Sequence, residues 1–497
     1  MCNLKKIRVR SIKMSACSEK LLRTCILLVL VMVPLHFIHS MTLAEKNAGE
    51  ITVSQAEKNL SGVVRSGANA CMGTTLTIRD GKEATGYVCF ELDEPAAADV
   101  QVSFSVDEAA LAAYNQANGT LYTLYSGVTL ANGGKVTIPA GERKSDYIAV
   151  RVPAGGSGDA IAIAATASSG ETLVADNKSF VYRVASLTAP RYEKEIKNLC
   201  YIEVNNENPL NAGEYTLSDG KPFFDIVSVF AANINLNAEG MPYVHCNEQV
   251  TFVLQHADEI IRPLQKKGIK VHLSILGNHD DAGMRSLSEE GAKAFAKELK
   301  MYADIYGFDG FDFDDEYSSY AENNFKGSAQ SGRGVVASVA ECTSANYTKL
   351  MEACRKELPK GESTFGIYWY TDDDQPVGSN VEALIDYTVY GAYGKFDEYR
   401  QQELSNAIEA PYAITLSGLD NKGDMIPVSV NEEYLNDVKE GGYGYFAFYD
   451  LKSSRVYTKE FNQVAHVLWN GLTVEWTGYV YARTDMTPVK FSAPSDK

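Results

Sequence analysis

From residue 198 onward, short apolar segments alternate with amphipathic ones. This is the feature that most constrains the fold. The strand candidates are "LCYIEVN", "FFDIVSVFAANIN", "IKVHLSILG", "FDGFDFDDE", "FGIYWY", "LIDYTVYG", "PYAITLS" and "YGYFAFYDL". Between them lie helical patterns, clearest in "EQVTFVLQHADEIIRPLQKKG", "SEEGAKAFAKELKMYADIYG" and "SANYTKLMEACRKEL". The first two end in Gly, a usual helix stop. Eight such units suit a (β/α)8 TIM barrel, whose usual length is about 250 residues. An open doubly wound sheet would want a Gly-rich phosphate loop after its first strand, and the sequence has none there.

Residues 48–186 follow another pattern. "GTTLTI", "TGYVCFEL", "DVQVSFSV", "GKVTI", "SDYIAVRV", "AIAIAATA" and "KSFVYRV" alternate apolar and polar positions and are separated by Gly, Asp, Asn and Ser turns. Short strands at this spacing predict an all-β sandwich, with one helical insert at "DEAALAAYNQANG" and a linker at "SLTAPRYEKEIKN". Ahead of it, seven basic residues from Lys5 to Arg23 precede the apolar run "ILLVLVMVPLHFI". A basic stretch followed by a short apolar one is the pattern of a secretory signal, and the run is short for a spanning helix. The expected organisation is therefore a signal peptide at 1–44, a β-sandwich at 48–186 and a barrel at 187–480. The protein would be exported to the periplasm, cell surface or medium, with no transmembrane span in the mature chain.

Composition narrows the partners. The net charge of -18 disfavours nucleic acid, whose phosphates call for a basic surface, and suits a neutral ligand such as a sugar. The 9 cysteines contain no CxxC pair, so a zinc site is not expected. Cys71 and Cys89 flank "RDGKE", read as a hairpin turn. A disulfide there is within reach, but buried free thiols are the adopted reading. Cys342 and Cys354 bracket three helical turns, about 18 Å at 1.5 Å per residue, and should not pair.

The stretch "YGFDGFDFDDEYSSY", residues 306–320, breaks a local rule. Asp309, Asp312, Asp314, Asp315 and Glu316 crowd a segment that should be a buried strand, although Asp and Glu are poor strand formers. Such conflicts mark functional sites. Side chains alternate along a strand, so Gly310, Asp312, Asp314 and Glu316 share one face, and Phe311 and Phe313 take the other. With the phenylalanines against the outer helices, the acids line the barrel interior and Glu316 reaches its C-terminal end, where such barrels carry their sites. Carboxylates this close cannot all ionise, so the acids should share protons as a coupled set and at least one pKa should rise. That is what protonation of a glycosidic oxygen needs. A calcium loop would space its acids as D-x-D-x-D-G without interleaved phenylalanines.

"DGFDFDDE" matches D-G-x-D-x-D-x-E, the signature of glycoside hydrolase family 18, on the fourth predicted strand. "YIEVNNENPLNAGEYTL", "FDIVSVFAANIN", "IRPLQKKGIKVHLSILGNHDDAG" and "YGFDGFDFDDEY" resemble the corresponding stretches of that family's bacterial endo-β-N-acetylglucosaminidases, which cut the chitobiose core of N-glycans. The resemblance is dense over 198–320 and thinner beyond. It implies substrate-assisted catalysis, the exception to the two-carboxylate scheme. The sugar's own acetamido oxygen attacks the anomeric carbon and forms an oxazolinium ion. Glu316 would be the acid and then the base, Asp314 would orient the acetamido N–H, and Asp312 would share a proton with Asp314. A tyrosine ending the sixth strand would bond the acetamido carbonyl. Tyr390 is the first choice and Tyr393 the second, in a segment where this chain departs from the family.

Further candidates come from strand ends. Ser274, Gly277 and Asn278 in "SILGNH" resemble the family's S-x-G-G segment. Asn205, Asn233 and Asn235 end the first two strands and are candidate sugar-hydroxyl partners, with loop capping an equal alternative. Trp369 is either a sugar platform or barrel packing. With 3 Trp against 29 Tyr, a Trp-lined chitin groove is disfavoured. The N-terminal region resembles the module found ahead of glycosidase domains in exported Bacteroidetes proteins, and a spacer role or a glycan-binding role is open. The resulting expectation is a monomeric hydrolase of N-linked glycans on glycoproteins, with no metal and no cofactor. The alternatives are a chitinase of the same family or a non-catalytic carbohydrate-binding relative.

Overall fold

The computed structural model describes residues 61–70, 74–169, 179–319, 336–369, 380–396, 404–417 and 428–492. The predicted signal segment 1–44 and Cys71 lie outside these residues.

The central feature is a parallel sheet. Its strands are β1 (Lys197–Glu203), β2 (Ile226–Leu236), β3 (Lys270–Leu276), β4 (Gly310–Asp314), β5 (Thr364–Trp369), β6 (Tyr387–Tyr390), β7 (Glu409–Ala410 with Ala413–Thr415) and β8 (Tyr445–Tyr449). Each pairs in parallel with the next, and β8 pairs with β1. β7 serves its neighbours in two halves: Ala410 registers with Val389 of β6, and Ala413–Thr415 with Ala447–Tyr449 of β8. Pro411 lies between the halves and has no N–H to continue the ladder. The result is a nearly closed parallel barrel carrying all eight predicted strands.

Two apolar layers follow from alternation along these strands. Leu199, Tyr201, Ile226, Tyr368, Tyr387, Val389, Ala410, Ala413, Tyr445 and Ala447 pack together inside the barrel. Phe311, Phe313, Phe365, Ile367, Phe446 and Phe448 pack outward with the helices. The surrounding helices are α1 (Glu248–Gln255), α2 (Ala257–Lys266), α3 (Glu289–Tyr306), α4 (Ser344–Glu357), α5 (Val381–Leu384), α6 (Glu432–Glu440) and α7 (Thr458–Leu468). Side-chain oxygens of Asn247, Ser288, Thr343 and Asn431 accept the first-turn N–H groups of α1, α3, α4 and α6, as N-caps do. The segment read as one helix from Glu248 to Gly268 is two, because His256 leaves helical geometry at φ -109, ψ 31. The crossover from β1 to β2 carries a 3₁₀ turn, Pro209–Glu214, in place of an α-helix.

The N-terminal region forms two sheets. In one, Ala84–Leu92 pairs antiparallel with Gly62–Ser66 and Ile148–Val152, which also pairs with Thr129–Leu130. In the other, Thr75–Arg79 runs parallel to Ser179–Leu187, followed by Ala160–Ser168, Val100–Val106 and Lys135–Ile138. "RDGKE" is therefore not a hairpin turn, because it joins strands of different sheets. Asp80 N–H still bonds Leu187 O at 2.8 Å, which holds the chain to the second sheet up to the turn. Cys89 is a buried free thiol, and Cys342 and Cys354 are free as well.

These sheets hydrogen-bond to the barrel's flank. Tyr87 Oη donates to Asp304 at 2.6 Å, Asn69 to Tyr302 Oη at 3.0 Å, and Tyr306 Oη to Ala68 O at 2.9 Å. Arg183 pairs with Asp258 at 2.7 Å, and Arg79 pairs with Asp309 at the start of β4. At the other end of the chain, Asn208 Nδ2 donates to Ala482 O at 3.1 Å and Asp485 O at 3.0 Å, so barrel contacts continue past residue 480. No helix among the described residues is long and apolar enough to cross a membrane.

Candidate active site

The five acids of the 309–316 segment separate into three environments. Asp309 sits at the foot of β4, where it accepts Val271 N–H at 2.9 Å and Gln265 Nε2 at 2.8 Å and pairs with Arg79. Asp315 is paired with Arg285 Nε at 2.7 Å. The remaining three, Asp312, Asp314 and Glu316, are stacked along the barrel interior and out to its mouth.

Asp312 is fully buried and Asp314 nearly so. Phe311 and Phe313 face the helices, as alternation requires. Burial lifts the Asp312 carboxyl to about 7, and the Tyr387 and Tyr201 side chains oppose the rise by favouring its charged form. Neither Asp312 oxygen closes a well-formed hydrogen bond among the described residues, and nor does Asp314 Oδ1. Burial, then the Glu316, Asp312 and Asp315 carboxylates, lift Asp314 well above the usual range. Glu316 is half-buried and is raised by burial and by Asp315. Three carboxyls with upward-shifted proton affinity titrate as a set rather than singly.

The sequence reading extended β4 to Glu316, but the strand ends at Asp314. Glu316 N–H turns back onto Asp314 O at 2.9 Å. Tyr317 takes φ 59 and His279, on the facing loop, φ 50, and His279 N–H bonds Tyr317 O at 2.7 Å. Gly277 makes this loop crossing possible, because a Cβ there would collide with Glu316 O and Ser318. Glu316 is thus placed by a turn clamped from β3's loop, not by strand alternation.

A cavity of about 330 Å³ opens over these acids, lined by Tyr201, Glu203, Phe230, Leu276, Asp314, Glu316, Tyr317, Tyr368, Tyr393 and Tyr449. Phe230 reaches it where β2 bulges: Val229 pairs with Leu273 and Ala232 with Ile275, so Phe230 and Ala231 span one step. Such bulges re-aim side chains. Glu203, at the end of β1, is raised by burial, while its hydrogen bonds with Asn205 work against the rise.

The other candidates fall as follows. Tyr393 lines the cavity and Tyr390 does not. Tyr387 and Val389 pack inside the barrel, which puts Tyr390 on the opposite face of β6. Ser274 bonds Ser228 at 2.7 Å inside the barrel. Asn233 Nδ2 donates to Gly277 O at 3.0 Å. Asn235 donates to Asp280 at 3.2 Å and accepts from Asn278 at 3.0 Å. Asn205 bonds Glu203 at 2.6 Å and accepts from Asn247 at 2.9 Å. These asparagines hold the loops that shape the mouth rather than lining the cavity. Trp369's side chain lies outside the described residues, and its neighbour Tyr368 supplies the aromatic wall. Sequence reasoning missed Tyr201, Glu203, Phe230, Tyr368 and Tyr449. Their signal was position: Tyr201, Glu203, Tyr368 and Tyr449 lie at or near the C-terminal ends of barrel strands on the inward face, and Phe230 sits at the β2 bulge.

The buried Asp312 has a testable cost. Its carboxyl is lifted from the ordinary value near 4 to about 7, so its contribution to stability is intact below about pH 4 and lost as pH rises to about 7. Asp312→Asn should therefore raise the unfolding free energy at pH 8, by on the order of a few kcal/mol, and leave it little changed at pH 4. Equal shifts in thermal midpoint at both pH values would mean that Asp312 is not held protonated by its burial.

With this geometry in view, the chain can be compared with known proteins. Residues 66–172 match a family model described as a "-like, N-terminal domain". Endo-beta-N-acetylglucosaminidase F1 of Elizabethkingia meningoseptica is 38% identical over 206 residues, which is 41% of this chain and 58% of that protein. The chain thus spans under two thirds of that relative. The endo-beta-N-acetylglucosaminidase of Flavobacterium sp. (strain SK1022) is 32% identical over 261 residues, 52% of this chain and 76% of that protein. Among solved structures, Bacteroides thetaiotamicron EndoBT-3987 in complex with Man9GlcNAc2Asn substrate aligns with 86% of this chain and 99% of its own, at 25% identity and a TM-score of 0.50. An acidic strand with the D-G-x-D-x-D-x-E spacing at the mouth of a parallel barrel, together with this identity over most of a relative's length, means that the chain belongs to the endo-β-N-acetylglucosaminidases of glycoside hydrolase family 18.

Proposed function

We propose that this protein hydrolyses the GlcNAc-β1,4-GlcNAc core of N-glycans by substrate-assisted, retaining catalysis. The observation that carries the reading is the cavity of about 330 Å³ with Glu316 and Asp314 in its wall. It is a pit for a single sugar ring over a proton-holding carboxyl, and it is walled by tyrosines. The neighbour EndoBT-3987 was solved with Man9GlcNAc2Asn, a ligand of the class proposed here.

The roles follow from depth. Glu316, at the mouth and held above the usual carboxyl range, gives its proton to the glycosidic oxygen and later takes one from water. Asp314, buried beneath it, accepts the acetamido N–H of the sugar and stabilises the oxazolinium charge. Asp312 holds the proton that Asp314 gives up. Tyr393, on the cavity side of the β6 loop, is the tyrosine for the acetamido carbonyl. We read the two N-terminal sheets as a β-sandwich over residues 48–186, supported by their shared apolar core of Val88, Phe90, Val102, Phe104 and Tyr182. The barrel then occupies 187–480 and the contacts just beyond. Export rests on the basic and apolar N-terminus alone.

Incubation with a high-mannose glycoprotein tests the activity directly. The expected products, read by mass, are a polypeptide retaining one GlcNAc per site and a released glycan ending in the other. Trimming of single sugars from the outer ends, or no mass change, would refute it.

A further inference from the structure

The barrel floor holds a polar pair that the proposed chemistry does not use. His272 on β3 is fully buried, as is Tyr387 on β6. His272 Nδ1 lies 3.1 Å from Tyr387 Oη, and the two rings lie 5.9 Å apart at 19°. His272 Nε2 has no partner among the described residues. On its other side Tyr387 meets Asp312 over Gly366 of β5, where a Cβ would collide with both Tyr387 Cζ and Asp312 Oδ1. A glycine at this point lets a ring and a carboxylate share one space.

We propose that Tyr387, with His272 behind it, is the positioning pair for Asp312: His272 Nδ1–H donates to Tyr387 Oη, and the Tyr387 hydroxyl turns its hydrogen to the Asp312 carboxylate. A phenol has one hydrogen and accepts at the same oxygen. It can face an ionised Asp312 while bonded to His272 only if the imidazole supplies the other hydrogen. That assigns the Nδ1–H tautomer and leaves Nε2 as the atom without a partner, as observed. Burial and Lys270 keep the imidazole neutral, which the tautomer requires. The groups around Asp312 are Tyr201 from β1, His272 from β3, Asp314 above it on β4, Tyr347 from α4 and Tyr387 from β6, with Tyr445 of β8 against Tyr387 at 5.2 Å between rings. Among the described residues Tyr201 Oη has no hydrogen-bond partner, so the chain from His272 is the one with a second link.

This inference rests on the proposed hydrolysis and concerns its pH dependence. Turnover needs Glu316 protonated and the Asp312–Asp314 pair carrying one negative charge. The acidic limb of the kcat/KM profile therefore reports protonation of that pair. A donor to the charged form lowers the pair's proton affinity. Tyr387→Phe should move the acidic limb up by about one pH unit, in line with a charge-assisted hydrogen bond. The alkaline limb, set by Glu316, should stay in place. His272→Leu should move the acidic limb the same way by less, and His272→Asn, whose amide puts a donor near the place of Nδ1, should restore it. A purely structural role would lower activity at all pH values without moving one limb. Wild-type activity on an N-glycan is measured first, and its absence would refute the function, not the pairing. With an active wild type, unmoved limbs in Tyr387→Phe would overturn the pairing. If that variant does not fold, equal limbs in His272→Leu and His272→Asn would do the same.

Discussion

Glu316→Gln is expected to keep the fold and lose hydrolysis, with kcat falling by ~10²–10⁴-fold. The side chain lies beyond the end of β4, half-buried at the cavity mouth, so an amide of the same shape costs little stability. Its backbone N–H still bonds Asp314 O, and the loop clamp between His279 and Tyr317 uses backbone atoms. What the amide cannot do is release a proton to the leaving oxygen. Burial and Asp315 hold the native carboxyl above the usual range, which favours the protonated form that the leaving oxygen needs. Turnover of an N-glycan near the wild-type rate, with an unchanged thermal midpoint, would remove Glu316 from the acid role.

A larger effect is expected from the substrate side. A glycan with a 2-hydroxyl in place of the acetamido group at the cleaved residue should bind but react at least ~10⁴-fold more slowly. Loss of an intramolecular nucleophile forfeits effective molarities of about 10⁵ M or more. In the proposed roles no carboxylate is left to attack the sugar: Asp314 is taken up by the acetamido N–H, and Asp312 is sealed beneath it. Enzymes with a protein nucleophile instead place two carboxyls about 5 Å apart across the bond. A stable thiazoline mimic of the cyclised sugar should accordingly inhibit by competition. Comparable hydrolysis of the 2-hydroxy analogue, or a glycosyl ester trapped on Asp314, would show that the nucleophile belongs to the protein.

Whether an element could be read from sequence depended on whether its determinants were local. Alternation with a period of two is a local rule, and it put Asp312 and Asp314 inside and Phe311 and Phe313 outside, as observed. The same rule failed one step later. Glu316 lies on a turn set by a facing loop, by Gly277 and by the Arg285–Asp315 pair, and the loop, Gly277 and Arg285 are all distant from it in sequence. On β6, all four residues of "YTVY" are buried. A parallel strand covered on both sides carries no alternation to mark its inward face, so the choice of Tyr390 rests only on its place at the strand end before Gly391.

The asparagines show the limit most plainly. A polar side chain at a strand end faces either the cavity or its neighbouring loop, and the sequence does not say where that loop lies. Asn233 found Gly277 O, and Asn235 found Asp280 and Asn278. Likewise "RDGKE" reads as a hairpin because turn chemistry is local, whereas the choice between one sheet and two is made by pairing with Leu187, far along the chain. By itself the sequence determined the eight strands, the acidic signature and the face that Asp312 and Asp314 take, since each is written in residues a few positions apart. The tertiary structure alone decided which aromatic rings wall the cavity, where Glu316 stands and what lies behind Asp312, because each depends on side chains brought together from separate strands.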